Sequence, residues 1–152
     1  MKISTKGRYA LEAVTDLALH AGDQYGSIRG IAQRRGLSDN YLEQLFLQLR
    51  RAGLVESVRG PQGGYRLARD AAQVTAGDVL RAAEGSLSPV ECLTPAEGEH
   101  CAREAQCVTR GIWQRLASEM DEVLDRISIA VLVGAVRDEQ VRESEPFVDY
   151  CI

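Results

Sequence analysis

Apolar residues recur every three or four positions through the first 52 residues, a spacing that predicts three helices. The first covers about residues 4–20. The second follows Ser27, a favourable N-cap residue, and stops at Gly36, which can adopt the left-handed conformation of a helix C-cap. The third covers about residues 39–52 and carries a buried face at i, i+3, i+4 and i+7. That face consists of Leu42, Leu45, Phe46 and Leu49.

The pattern then changes to alternation, which is typical of strands. Residues 54–58 and 65–67 predict a hairpin, and the glycine-rich stretch 59–64 predicts its turn. A fourth helix begins near Thr75, with Asp78 placed for a capping box. Helix, turn, helix and a hairpin with a basic tip is the layout of a winged helix-turn-helix. The predicted fold class is therefore mainly α with a small β-hairpin wing, and DNA binding is the first functional hypothesis.

One long amphipathic helix dominates the second half of the chain. Its apolar stripe is about four turns long and consists of Ile112, Trp113, Leu116, Met120, Val123, Leu124 and Ile127. An apolar stripe of this size on a small domain must be covered by another apolar surface. Because two-fold homodimers are the commonest oligomers, we expect the same helix of a second subunit to cover it. Packing within one subunit is the alternative. Ser128 can cap a short final helix that ends near Val136.

These elements divide the chain into four parts. They are a DNA-binding domain (1–84), a cysteine-bearing loop without helical period (85–107), dimerisation helices (108–136) and a charged C-terminal tail (137–152).

The net charge of −4 is unevenly distributed along the chain. Residues 1–70 hold 11 Lys/Arg and 7 Asp/Glu, whereas residues 71–152 hold 7 Lys/Arg and 15 Asp/Glu. The basic half can face phosphates while the acidic half faces away. Since the chain has no membrane-length apolar run and no secretory signal, we expect a cytoplasmic protein whose cysteines are thiols or metal ligands.

The third helix carries side chains suited to base recognition. Asn40 and Gln44 can each bond adenine through two hydrogen bonds, and Glu43 can accept one from cytosine. Arg59 at the hairpin tip can enter a narrow minor groove. The neutral hydroxyls that can reach phosphates belong to Ser27, Ser38 and Tyr41. A solvated helix face is the alternative, but the basic wing beside these residues favours DNA.

An enzyme is the weaker hypothesis. Two histidines give little acid–base capacity, and no Ser/His/Asp set is evident. The glycine-rich turn at 60–64 does not lead from a strand into a helix, and no Gly-Lys-Ser/Thr follows it, so it does not indicate nucleotide binding.

Residues 1–19, 38–70 and 76–85 resemble the Rrf-two family of bacterial winged-helix regulators. The most specific motifs are Tyr41-Leu42-Glu43-Gln44-Leu45 and Arg59-Gly60-Pro61-x-Gly63-Gly64-Tyr65, and the resemblance extends to about residue 136. It implies a homodimer with crossed long helices. It also implies DNA contacts at Tyr41, Glu43, Gln44, Arg59 and Pro61. Asn40 stands where the cluster-binding branch of the family often has Ser, which allows a different base preference.

Three cysteines lie in the predicted loop, with eight residues between Cys92 and Cys101 and five between Cys101 and Cys107. This spacing is unlike that of a structural zinc ribbon. Three thiolates from one loop can hold one face of an iron–sulfur cluster. The family resemblance implies that all three are ligands. Reduced thiols without metal and a thiol–disulfide switch are the alternatives.

Several residues are candidates for the fourth ligand of such a cluster. The cluster-binding branch has a histidine three residues after its last cysteine, where this chain has Arg110. Some relatives supply an acidic residue near position 8, where this chain has Arg8. The remaining candidates are Glu91, Glu99, Glu104, His100, a group from the other subunit, a small thiol or water.

Residues 86–91, Ser86-Leu87-Ser88-Pro89-Val90-Glu91, and the terminal Tyr150-Cys151-Ile152 resemble a second branch of the family, the cysteine-metabolism repressors. These end in Tyr-Ile and act in complex with cysteine synthase, an enzyme that captures a free C-terminal isoleucine. The resemblance implies that Ile152 docks on such an enzyme, and a frayed terminus is the alternative.

Overall fold

The computed structural model describes residues 3–94 and 101–144, and every structural statement below concerns these residues. Six α-helices and one antiparallel hairpin are present among them. In order, they are α1 (Thr5–Ala21), α2 (Ile28–Arg35), α3 (Asp39–Arg51), β1 (Val55–Val58), β2 (Gly64–Leu67), α4 (Ala76–Glu84), α5 (Arg110–Arg126) and α6 (Ile129–Ser144). The predicted winged helix-turn-helix is confirmed.

Two serines begin the helices of the helix-turn-helix, as the sequence predicted. The Ser27 hydroxyl accepts a hydrogen bond from the Gly30 N–H at 3.0 Å, and the Ser38 hydroxyl accepts one from the Tyr41 N–H at 3.2 Å. Gly36 ends α2 in the left-handed conformation, with φ of 65°. These caps and the left-handed glycine form the tight turn that sets the orientation of α3.

The core of the winged helix-turn-helix forms where α1, α3 and α4 meet the hairpin. Leu42, Phe46 and Leu49 have no exposed surface, and the Phe46 ring lies edge-on to Tyr65 with centroids 5.0 Å apart. Full burial of one such side chain is worth about 1.5–3 kcal/mol. Because this face of α3 is buried, its opposite face is left for solvent or a ligand.

A buried carboxylate joins α1 to α2. Asp16 has no exposed surface and accepts hydrogen bonds from Arg34 Nε at 2.9 Å and Nη2 at 2.6 Å, and from Arg35 Nε at 3.0 Å. Both arginine side chains remain partly exposed, so the sequence alone gives no sign of this contact. They turn back because a carboxylate in the protein interior needs cationic partners. The orientation of α2 on α1 is thereby fixed.

A second carboxylate caps the start of α1. Glu84, at the end of α4, accepts hydrogen bonds from the Ser4 N–H at 3.0 Å and the Gly7 N–H at 2.9 Å, and also from the Ser4 hydroxyl. The hydrogen bond from the Ser4 hydroxyl is the main reason why the pKa of Glu84 lies below its usual value. This contact ties the first and last helices of the domain together.

The wing is held against the loop that precedes α2. Gly26 and Tyr65 exchange backbone hydrogen bonds of 2.7 and 2.8 Å. Gly64 has φ of 149°, and a Cβ atom there would collide with the Gly26 backbone. The hairpin pairs Val55 with Leu67, and its bonds to Gly26 place the wing beside the loop that precedes α2.

The final helix is longer than the sequence predicted. It continues past Val136 to Ser144, so residues 137–144 are helical. Residues 137–144 are mostly good helix formers, and none of them is a proline. Within the two described ranges, no helix has the length and apolarity that a membrane span requires.

Candidate nucleic-acid interface and cysteine segment

The polar face of α3 is open to solvent. Asn40, Glu43 and Gln44 are all exposed, on the side away from the buried Leu42 and Phe46. The cap at Ser38 places them in the first two turns of the helix. This is the end of a recognition helix that meets base edges in helix-turn-helix proteins. Amide and carboxylate groups here can form base-specific hydrogen bonds.

The wing brings a second group of predicted residues to the same domain. Arg59 and Pro61 are exposed at the hairpin tip. Ser27 and Pro61 line one groove of about 770 Å³, between the loop preceding α2 and the wing. The structure therefore brings Ser27 and Pro61 of the wing together, although 33 residues lie between them in the sequence.

A further groove of about 550 Å³ separates the N-terminus of α1 from that of α3. The predicted Ser38 and Tyr41 line it, together with Lys6 and Tyr9. The rings of Tyr9 and Tyr41 meet edge-on with centroids 6.0 Å apart. Burial raises the pKa of Tyr41, with smaller contributions from Tyr9 and Glu84, so its hydroxyl is a neutral hydrogen-bond donor at physiological pH. A cation and several hydroxyls at one groove suit a phosphate.

Sequence reasoning missed Lys6 and Tyr9. Their spacing of three residues does place them on one face of the first helix. The packing of that face beside α3 is a long-range contact, however, and no local pattern in the chain reports it.

The three cysteines of the segment after α4 are free and exposed. Cys92 lies in a short 3-10 helix (Glu91–Leu93), and Cys107 follows another (Glu104–Gln106). In residues 3–94 and 101–144, no three His, Cys, Asp or Glu side chains are gathered in a group that could hold a metal ion. The donor chemistry fits iron, since accessible thiols are what an iron–sulfur cluster requires. The geometry of a complete site is not formed by these residues alone.

Cys107 has the most distinctive surroundings of the three. Its Sγ lies 3.6 Å from the Thr109 hydroxyl. That hydrogen bond is the main cause that lowers the pKa of Cys107, helped by the backbone N–H groups of Thr109 and Arg110. A lowered pKa favours the thiolate, which is the form that binds metals and attacks electrophiles.

Arg110 and Glu104 form an ion pair across Cys107. The Arg110 Nη2 lies 2.7 Å from Glu104 Oε1. Glu104 would have to leave this partner before it could bind iron. Of the other predicted fourth ligands, Glu91 is exposed, whereas Glu99 and His100 fall outside the described residues. Ile152 also falls outside them.

The apolar stripe of α5 is largely uncovered within the subunit. Ile112 is 65% exposed, Leu116 42% and Val123 55%, and none of the α5 residues is buried. Large apolar side chains at this exposure, in a row along one helix, mark a surface that another protein surface covers.

Comparisons with known proteins agree with this geometry. Residues 3–135 match the family model Rrf2, described as an iron-dependent transcriptional regulator. The chain is 41% identical over 143 residues to the HTH-type transcriptional regulator IscR of Photobacterium profundum, which covers 94% of this chain and 80% of that protein.

Two solved structures share the fold. The structure of CymR, the global cysteine regulator of B. subtilis, has a TM-score of 0.70 and 43% identity, and the match covers 89% of this chain and 98% of that one. The structure of T. potens IscR has a TM-score of 0.71 and 37% identity, covering 99% of this chain and 97% of that one.

Proposed function

This chain belongs to the Rrf2 family of transcriptional regulators, and we propose on that premise that two copies form a homodimer that binds double-stranded DNA under the control of an iron–sulfur cluster. We assign DNA binding to residues 1–84, sensing to 85–107 and dimerisation to 108–136. The observation that carries the DNA-binding role is the exposed polar face of α3 beside the wing.

In this proposal α3 lies in the major groove. Asn40 and Gln44 bond base edges, and Glu43 accepts from cytosine while repelling sites that bring phosphate close to it. Arg59 enters the adjoining minor groove, and Pro61 shapes the wing tip that carries it there. The phosphate contacts come from Ser27, Ser38 and Tyr41.

Two recognition helices must reach two half-sites at the same time. In a helix-turn-helix dimer the half-sites lie about 34 Å apart, one turn of the duplex. The exposed stripe of α5 supports dimerisation through that helix, since it supplies the large uncovered apolar face that a stable homodimer buries.

The sensing role rests on Cys92, Cys101 and Cys107, which would hold the cluster as thiolates. When bound, the cluster supplies a labile group whose gain or loss reports oxygen, nitric oxide or the supply of clusters. Thr109 and the first turn of α5 favour the thiolate of Cys107. Because Cys107 lies two residues before Thr109, the N-cap of α5, ordering of the segment acts directly on the start of the dimerisation helix.

Gel-shift titration tests the DNA-binding role, with an operator first selected from random duplexes. Binding through phosphates should weaken steeply as salt rises. Gln44→Ala should weaken operator binding about 5- to 150-fold, the effect of losing one bidentate base contact. Gln140→Ala, the same change on exposed α6, should bind as the wild type does. Equal affinity for selected and unrelated DNA would overturn the proposal.

Anaerobic purification tests the cofactor. We expect visible absorbance with near-stoichiometric iron and sulfide, lost on Cys→Ala substitution at 92, 101 or 107. Cys151→Ala is the matched control and should keep the chromophore. Colourless, iron-free protein from the anaerobic preparation would contradict the proposal that the protein binds a cluster.

A cluster-free function is the second candidate, and the 43% identity to CymR, the global cysteine regulator of B. subtilis, favours it. In this version the homodimer is a repressor controlled by thiol oxidation or by cysteine synthase, which binds the terminal Ile152. Deletion of Ile152, or addition of one glycine after it, should abolish capture of cysteine synthase. Unchanged capture by either variant would contradict this role of the tail.

A further inference from the structure

Helix α5 is attached to its own DNA-binding domain at one end. Its main contact within the described residues is with α4. The junction after it is fixed by backbone hydrogen bonds, from the Ala76 N–H to the Ile127 carbonyl at 2.7 Å and from the Ile129 N–H to the Val74 carbonyl at 2.8 Å. This junction holds the C-terminal end of α5 in place, but a single attachment point leaves the direction of a helix free to vary.

One arginine supplies the second attachment point. Arg81 of α4 donates from Nη1 to Asp121 at 3.1 Å and from Nη2 to Asp125. The two aspartates are one turn apart on the same side of α5, so the planar guanidinium spans both. Asp78 Oδ1 lies 3.9 Å from Arg81 Nη2, and the hydrogen bond that Arg81 donates to Asp125 raises the pKa of Arg81. The arginine is thus permanently charged and surrounded by three carboxylates.

The absence of a side chain at Gly77 leaves room for this contact. A side chain at Gly77 would collide with the Asp125 carboxylate and with the Arg81 guanidinium. The Thr75 hydroxyl, which caps α4, also donates to Asp125 at 3.4 Å. Polar groups of α4 and of the residue that caps it therefore join this helix to the C-terminal half of α5.

We propose that Arg81 is a positioning residue that fixes the angle between α5 and the DNA-binding domain, and so determines which half-site spacing the homodimer accepts. This inference rests on the proposed function, because it presumes a dimer formed through α5 that reads two half-sites.

The geometry of the helix makes the spacing sensitive to this angle. A helix of 17 residues is about 25 Å long. A rotation of about 10° at the Arg81 end moves the far end by about 4 Å, which exceeds the rise of about 3.4 Å per base pair. Small changes at the ion pairs therefore become changes of one base pair in the separation of the recognition helices.

The test measures the binding of full-length protein to a selected operator and to operators with one or two base pairs inserted or removed between the half-sites. We expect Arg81→Gln to reduce the preference for the natural spacing about fivefold or more, a typical size for coupling between distant sites. Affinity for a single half-site should stay as in the wild type, because Arg81 does not line the DNA-facing grooves.

The matched control is Arg126→Gln. Arg126 lies on α5 and, among residues 3–94 and 101–144, forms its ion pair along the same helix, with Glu122 at 2.9 Å. The Arg126→Gln substitution removes one positive charge, as Arg81→Gln does, but leaves the contacts of α4 unchanged. It should therefore leave the spacing preference intact. Asp121→Asn is a second route to the same effect, in case Arg81→Gln folds poorly, and it should also relax the preference.

The outcomes separate the two claims. A wild-type protein that selects no paired half-sites refutes the proposed function and this inference with it. A wild-type protein that selects a spacing, with Arg81→Gln and Asp121→Asn keeping the same preference, leaves the function standing and overturns the role of Arg81.

Discussion

Removal of the buried charge at Asp16 should destabilise the helix-turn-helix without touching the DNA-facing side chains. Asp16 has no exposed surface, and its two oxygens accept three hydrogen bonds from Arg34 and Arg35. In Asp16→Ala both guanidinium groups lose their partner in the protein interior. Breaking a buried pair in this way typically costs about 3–5 kcal/mol.

The exposure of the partners reduces this figure. The Arg34 side chain is 39% exposed and that of Arg35 is 29% exposed, so each can recover part of its hydration after the substitution. We therefore expect a loss of about 2–3 kcal/mol in the free energy of unfolding, below the full cost of an enclosed pair. For a domain whose stability is about 5–15 kcal/mol, this is a large fraction.

Urea denaturation followed by circular dichroism at 222 nm measures the change, at one protein concentration because dimerisation contributes to stability. Asp138→Ala, at an exposed position on α6, is the control and should change the free energy of unfolding by about 0.5 kcal/mol at most. A loss below about 1 kcal/mol in Asp16→Ala would refute the reasoning.

Three further predictions concern Glu84, Lys6 and Gly64. Glu84 has a lowered pKa, so its contribution to stability is present above the unfolded-state pKa of about 4.3 and is lost as the pH falls through the lower folded-state value. The stability difference between the wild type and Glu84→Gln should therefore be constant near neutral pH and shrink below about pH 4.3 in a pH series of urea melts; a constant difference down to pH 3 would contradict this. Lys6→Ala should reduce the slope of log affinity against log salt by about 1, and an unchanged slope would exclude a phosphate contact. Gly64→Ala should weaken operator binding while leaving the helical circular dichroism signal intact, because a side chain there strikes Gly26 and displaces the wing; wild-type affinity would contradict this.

The sequence predicted most of the DNA-binding domain because its signals are local. The caps at Ser27 and Ser38, the left-handed Gly36 and the buried face of α3 each depend on residues within one or two turns. The exposure of Asn40, Glu43 and Gln44 then follows from helical geometry. Their roles in base recognition stay predictions.

The contacts that the sequence did not predict join distant segments of the chain. Arg34 and Arg35 look like solvated charges until α1 presents Asp16 to them. Lys6 joins the groove at α3 only through tertiary packing. The cysteine segment differs in kind, since its three thiols are not gathered with other donors within the described residues, and a ligand or a second subunit would be needed to assemble a site.

The central claim is that two copies of α3 read two adjoining major grooves. Selection from a random duplex library, carried out in parallel with the wild type and Gln44→Ala, tests it most directly. The account predicts a symmetric motif with half-sites about 10 base pairs apart for the wild type, and loss of preference at one matching position in each half-site for Gln44→Ala. A motif without symmetry, or identical preferences for both proteins, would contradict it.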